Sequence, residues 1–162
     1  MFVSMRSNDA FLGLPHDIFS FTMLQELVAR SVGMELGEYK HCAGSLHLYK
    51  KDEARATRYL EEGYQSKIAM PPMPLGDPWK NIRALQICEQ GLREQGVANV
   101  QQGWDPYWQE LAHLLDAYRA YRDKNLPVIT DLTGKLRSSV YKMFVEAKAD
   151  QLTASATNGV PL

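Results

Sequence analysis

A cation, a hydroxyl and two carboxylates stand within twelve residues near the start of the chain, in Arg6-Ser7-Asn8-Asp9-Ala10-Phe11-Leu12-Gly13-Leu14-Pro15-His16-Asp17. A guanidinium offers a planar fork of donors and a serine hydroxyl adds another, so Arg6 and Ser7 suit a phosphate. Gly13-Leu14-Pro15 is turn chemistry that ends one element and aims the next. It leaves Asp17 at the mouth of a helix, where unpaired backbone N–H groups favour an anion. The same residues admit a plainer account, with Asp9 and Asp17 as turn and cap residues and Arg6 as a solvated charge. Further along, two-residue alternation over residues 38–49 turns Ser45, His47 and Tyr49 one way and Leu46 and Leu48 the other. A Ser/His/Tyr face can donate and accept the hydrogen bonds of a sugar, and it equally describes a strand with one solvated face.

The elements that must position these groups follow from periodicity. Residues 1–5 are β-compatible. From 16 to 32, Ile18, Phe21, Leu24, Leu27, Val28 and Val32 recur at helical spacing, with Gly33 as the stop. That stripe predicts a central helix packed in the core. Asp52 is expected to cap a helix reaching about residue 65. The proline-rich run 70–74 is a loop. Asp77-Pro78 and Asp105-Pro106 both read as helix openings. The first helix carries a stripe of Ile82, Leu85, Cys88 and Leu92 ending at Gly96, the second one of Trp108, Leu111, Leu115 and Tyr118. A further helix is expected over about 130–149, with Leu132, Leu136, Val140, Met143 and Phe144 on one face and Gly134 weakening its first turn. Residues 151–162 are small and polar and read as a disordered tail. The fold class is therefore α+β: a mixed-sheet remnant with a central helix, then a helical C-terminal region, in one domain over 1–150.

Bulk properties narrow the function. At 162 residues the chain can bury a substantial core without metals or disulfides. A net charge of -1, with 45% hydrophobic and 23% charged residues, is ordinary for a globular protein and gives no general field for nucleic acid or an anionic membrane. Any anion must be held locally. Cys42 and Cys88 are the only cysteines, which fits a reducing compartment. No apolar run reaches membrane-spanning length and no signal-peptide pattern opens the chain, so a cytoplasmic location is expected.

Arg6 to Asp17 together with Gly44-Ser45-Leu46-His47-Leu48-Tyr49 resembles the thymidylate synthase and deoxycytidylate hydroxymethylase family. Its pattern is Arg-Ser-x-Asp-x-x-Leu-Gly-x-Pro-Phe-Asn, a helix, then Gly-Asp-x-His-x-Tyr. The resemblance implies that Arg6 and Ser7 bind the 5′-phosphate of a pyrimidine nucleoside monophosphate, and that His47 and Tyr49 bind the sugar 3′-hydroxyl. It implies that Asp9, with Gly13, lies beside the base and the reduced folate, 5,10-methylenetetrahydrofolate, and that Asp17 faces the pyrimidine edge. On this resemblance Asp9 and Asp17 are the catalytic candidates. Asp17 stands where the family has Asn for uracil. Cytosine presents an amino donor at position four where uracil presents an acceptor, so a carboxylate there implies a cytosine nucleotide, dCMP or CMP. His16 and Ser45 replace the usual Phe and Asp. The family's nucleophile is a Cys in a Pro-Cys pair on the strand ahead of the Arg-Ser motif, a position before Met1. The expectation is thus a C-terminal portion of a C5 one-carbon transferase, forming a homodimer or completed by an N-terminal half on another chain. The alternative is a non-catalytic nucleotide-binding or interaction module of that fold.

Overall fold

In a computed structural model, residues 1–64, 67–101 and 103–158 are described. Strand β1 (Phe2–Met5) pairs in parallel with β3 (Lys40–Ala43), and the very short β2 (Asn8–Asp9) pairs in parallel with β4 (Leu46–His47). Parallel neighbours need a crossover, and helix α1 (Gly13–Ser31) supplies it. The continuous strand expected over 38–49 is broken at Gly44, whose N–H donates to the Met5 carbonyl at 2.9 Å. A Cβ on Gly44 would lie 3.1 Å from the Arg6 carbonyl oxygen, so the two chains cross closely there. The result is two short ribbons in place of one mixed sheet, within the α+β class.

A 3-10 turn at Lys50–Asp52 leads into α2 (Glu53–Glu61). Asp52 stands at the helix start without capping it. Its side chain is buried, with Oδ1 3.3 Å from the Arg55 guanidinium, and Arg55 lies over the Phe11 ring. Helix α2 stops at Glu61, short of the expected end near residue 65, and residues 62–64 are not helical.

Four helices follow: α3 (Trp79–Gln95), α4 (Pro106–Arg122), α5 (Leu126–Lys135) and α6 (Ser139–Asn158). Gly96 ends α3 in the left-handed conformation, and the Asp105 carboxylate caps α4 by accepting the Tyr107 N–H at 2.9 Å. The single helix expected over 130–149 is two. The chain leaves α5 at Leu136 in extended conformation, and the buried Glu110 of α4 accepts the N–H groups of Arg137 and Ser138, each at 2.6 Å. A carboxylate that satisfies two free donors at a helix start fixes the break. Helix α6 then runs to Asn158, so residues 151–158 are helical where a disordered tail is expected; 159–162 lie outside the described residues.

Contacts divide the chain into two compact units, 1–67 with 75–77, and 68–74 with 78–162. In the second, Trp108, Ala112, Ala120, Ile129, Leu136 and Val145 are sealed from solvent, and Met73 of the proline-rich loop is buried too. The first has Ala29 as its buried apolar residue among those described. The α1 stripe expected as core is therefore largely open: Leu24 is 42%, Val28 48% and Val32 64% exposed. Two short ribbons and one short helix lack the area to cover it.

Candidate functional site

The start of α1 organises the first unit. Asp9 Oδ1 accepts the Phe11 N–H at 3.1 Å, and Oδ2 accepts those of Leu12 and Gly13 at 3.0 and 3.1 Å. The Phe11 N–H, then those of Gly13 and Leu12 and the neighbouring His47, hold the Asp9 carboxyl below its ordinary range against a loss of hydration. The helix thus begins three residues before the expected His16, and Asp9, not Asp17, serves its terminus. Asp17 lies in the second turn instead. Gly13 sits in close quarters: a Cβ there would stand 2.7 Å from Asn8 Oδ1, 3.2 Å from Asp9 Cβ and 3.8 Å from Asp17 Oδ2. Asn8, Asp9 and Asp17 therefore crowd one glycine.

The β2–β4 pairing sets Asp9 opposite His47. Ser7 Oγ lies 3.2 Å from His47 Nδ1, and the His47 ring meets the Tyr49 ring edge-on at 4.8 Å. Ser7, His47 and Tyr49 are thereby brought together from two segments forty residues apart. Arg6 is exposed, and its guanidinium enters no ion pair among the described residues. Two cavities, of about 470 and 260 Å³, lie among the helices of the second unit, and neither is lined by a residue of this cluster.

Three polar residues beyond the motif candidates belong to the site. Asn8 is buried, and its amide nitrogen lies 3.1 Å from His41 Nε2; His41 Nδ1 lies 2.7 Å from the Tyr39 hydroxyl. Partial burial and then the charge of Asp17 raise the Tyr39 phenol above its ordinary value. Tyr39 and His41 alternate on β3 and its approach, which is the signal available in the sequence. Asn8 is the unspecified position of the Arg-Ser-x-Asp run.

Residues 1–94 match the family model described as thymidylate synthase. The match continues through α2 and into α3, well past Tyr49, where the motif likeness stops. The chain is similar to a thymidylate synthase of Listeria monocytogenes serovar 1/2a, 33% identical over 87 residues, and to that of Listeria monocytogenes serotype 4a, 52% identical over 87 residues. In each case the alignment covers 54% of this chain and 27% of the relative. The chain thus spans about a quarter of the length of the curated relatives it matches.

Proposed function

The chain belongs to the thymidylate synthase family, and on that premise we propose that it forms the nucleotide-holding part of a pyrimidine C5 one-carbon transferase. Its substrate is a pyrimidine nucleoside monophosphate, of the cytosine type. Arg6 and Ser7 take the phosphate, His47 and Tyr49 the 3′-hydroxyl, and Asp17 the base edge. The observation that carries the reading is the joining of Ser7, His47 and Tyr49, with Asp17 close to Asp9 and Gly13 at the adjoining helix start. Arg6, exposed and paired with no carboxylate among the described residues, is a cation available to an anion.

In this reading Asp9 works through α1: three N–H groups on its carboxylate hold the helix start that carries Asp17. A reduced folate supplies the one-carbon unit in the whole enzyme. Toward it this chain offers the remaining lone pairs of Asp9 and the bare backbone of Gly13, which is too little to bind a pterin-sized group alone. The exposed apolar side chains of α1 suit coverage by the rest of a synthase fold, whether from a second copy or an N-terminal half on another chain. The exposed thiol of Cys42 suits a reducing cytoplasm. A non-catalytic interaction module is the second reading, favoured by Met143 and Phe144, exposed side by side on α6.

Calorimetry with dCMP, CMP and dUMP tests the proposal. The unaltered chain binds a cytosine nucleotide over dUMP, and Asp17→Asn shifts the affinity ratio toward dUMP by about tenfold or more, the worth of one charged hydrogen bond. An unchanged ratio overturns the cytosine assignment. A chain that binds none of the three, yet captures a partner through Phe144, supports the interaction module instead.

A further inference from the structure

The hydrogen-bond chain under Gly13 assigns a proton. Asn8 turns its amide oxygen toward Gly13 and its amide nitrogen toward both His41 Nε2, at 3.1 Å, and Met5 Sδ, at 3.4 Å. The nitrogen can only donate, so His41 Nε2 must present its lone pair. The proton of the neutral ring is then on Nδ1, and it is donated to the Tyr39 oxygen 2.7 Å away. With its oxygen accepting from His41, the Tyr39 hydroxyl has its own proton to give elsewhere. Asp17 borders the same Gly13: its Oδ2 would lie 3.8 Å from a Cβ there, against 2.7 Å for Asn8 Oδ1, and its charge adds to the burial that raises the Tyr39 phenol, with no hydrogen bond joining Tyr39 and Asp17 among the described residues.

We propose that Tyr39 and Asp17 read the cytosine edge as a pair: Asp17 accepts from the 4-amino group, and the Tyr39 hydroxyl, oriented by His41 and Asn8, donates to N3. This rests on the nucleotide reading above and adds the second half of base recognition. One acceptor beside one donor is the complement of the cytosine edge, so neither a protonated carboxyl nor a protonated ring is required. Uracil reverses both groups. Its O4 meets the Asp17 carboxylate, and its N3–H meets a hydroxyl proton already directed at it, which leaves buried polar groups unpaired. Tyr39 is then a specificity residue, and His41 and Asn8 are positioning residues that act through it.

The test pairs a protein change with a ligand change. The unaltered chain and Tyr39→Phe are titrated calorimetrically with dCMP and with its 3-deaza analogue, in which N3 is replaced by C–H. The unaltered chain is expected to bind dCMP about tenfold more tightly than the analogue, and Tyr39→Phe to bind the two alike. Nitrogen NMR of the His41 ring, without nucleotide, is expected to show the proton on Nδ1. A preference for dCMP over the analogue that persists in Tyr39→Phe, or a His41 proton on Nε2, overturns the pairing and leaves the nucleotide site standing. If the unaltered chain binds no dCMP, the site assignment fails and the pairing with it.

Discussion

Asp9 shows how one carboxylate can decide where a helix starts. Its folded pKa is lowered, chiefly by the Phe11 N–H, so its contribution to stability is present above the ordinary value of 3.8. That contribution is lost as pH falls through the lowered folded value. The first unit is therefore expected to loosen on acidification in that window, and Asp9→Ala to remove the dependence while lowering stability at neutral pH. Circular dichroism and the amide signals of Phe11, Leu12 and Gly13, followed against pH, check both. Gly13 beside it admits no side chain without moving Asn8, because a Cβ would stand 2.7 Å from the Asn8 amide oxygen.

At the scale of elements, the break between α5 and α6 depends on Glu110. Its buried carboxylate accepts two backbone N–H groups at 2.6 Å, and truncation removes the shared partner of both. Glu110→Ala is expected to cost about 2–3 kcal/mol in urea unfolding of the second unit, with amide exchange accelerated first at Arg137 and Ser138. Helix α1 behaves in the opposite sense. Its apolar residues repeat at core spacing yet stay open, so Leu24→Glu and Val28→Glu are expected to change the stability of the isolated chain by no more than about 0.5 kcal/mol. A loss of several kcal/mol in the same measurement would show that the face is packed after all. If the face receives another copy or an N-terminal half, both changes abolish that association in sedimentation experiments.

Across the whole molecule, chemistry and core are separated. The candidate site residues belong to 1–67, whereas the sealed apolar side chains among the described residues belong, apart from Ala29, to 68–158. Trp108, the largest fully buried side chain, packs edge-on against Tyr107 at 5.0 Å. Trp108→Ala is expected to destabilise the second unit by about 3–5 kcal/mol. Amide exchange in the isolated chain is expected to be slower in α4, around Trp108 and Ala112, than in β1 and β3. Equal protection in the two regions would contradict this division of the core.

What could be decided locally was legible in the sequence alone: the α+β class, the capped opening at Asp105-Pro106, the stop at Gly96, and a start for α3 close to Asp77-Pro78, where Pro78 itself takes the cap position. Turn, cap and period signals act over a few residues, and the Arg-Ser and His-x-Tyr runs carry their chemistry in their spacing. The tertiary structure decided what depends on partners distant in the chain. Glu110 splits a continuous helical pattern from twenty-seven residues away. The Gly44–Met5 crossing cuts one alternating strand in two. Asn8, Tyr39 and His41 become a connected group because a parallel crossover lays β1 beside β3, and no local pattern records that pairing. The openness of α1 has the same origin: periodicity shows that a helix has an apolar face, and only the packed chain shows whether anything covers it.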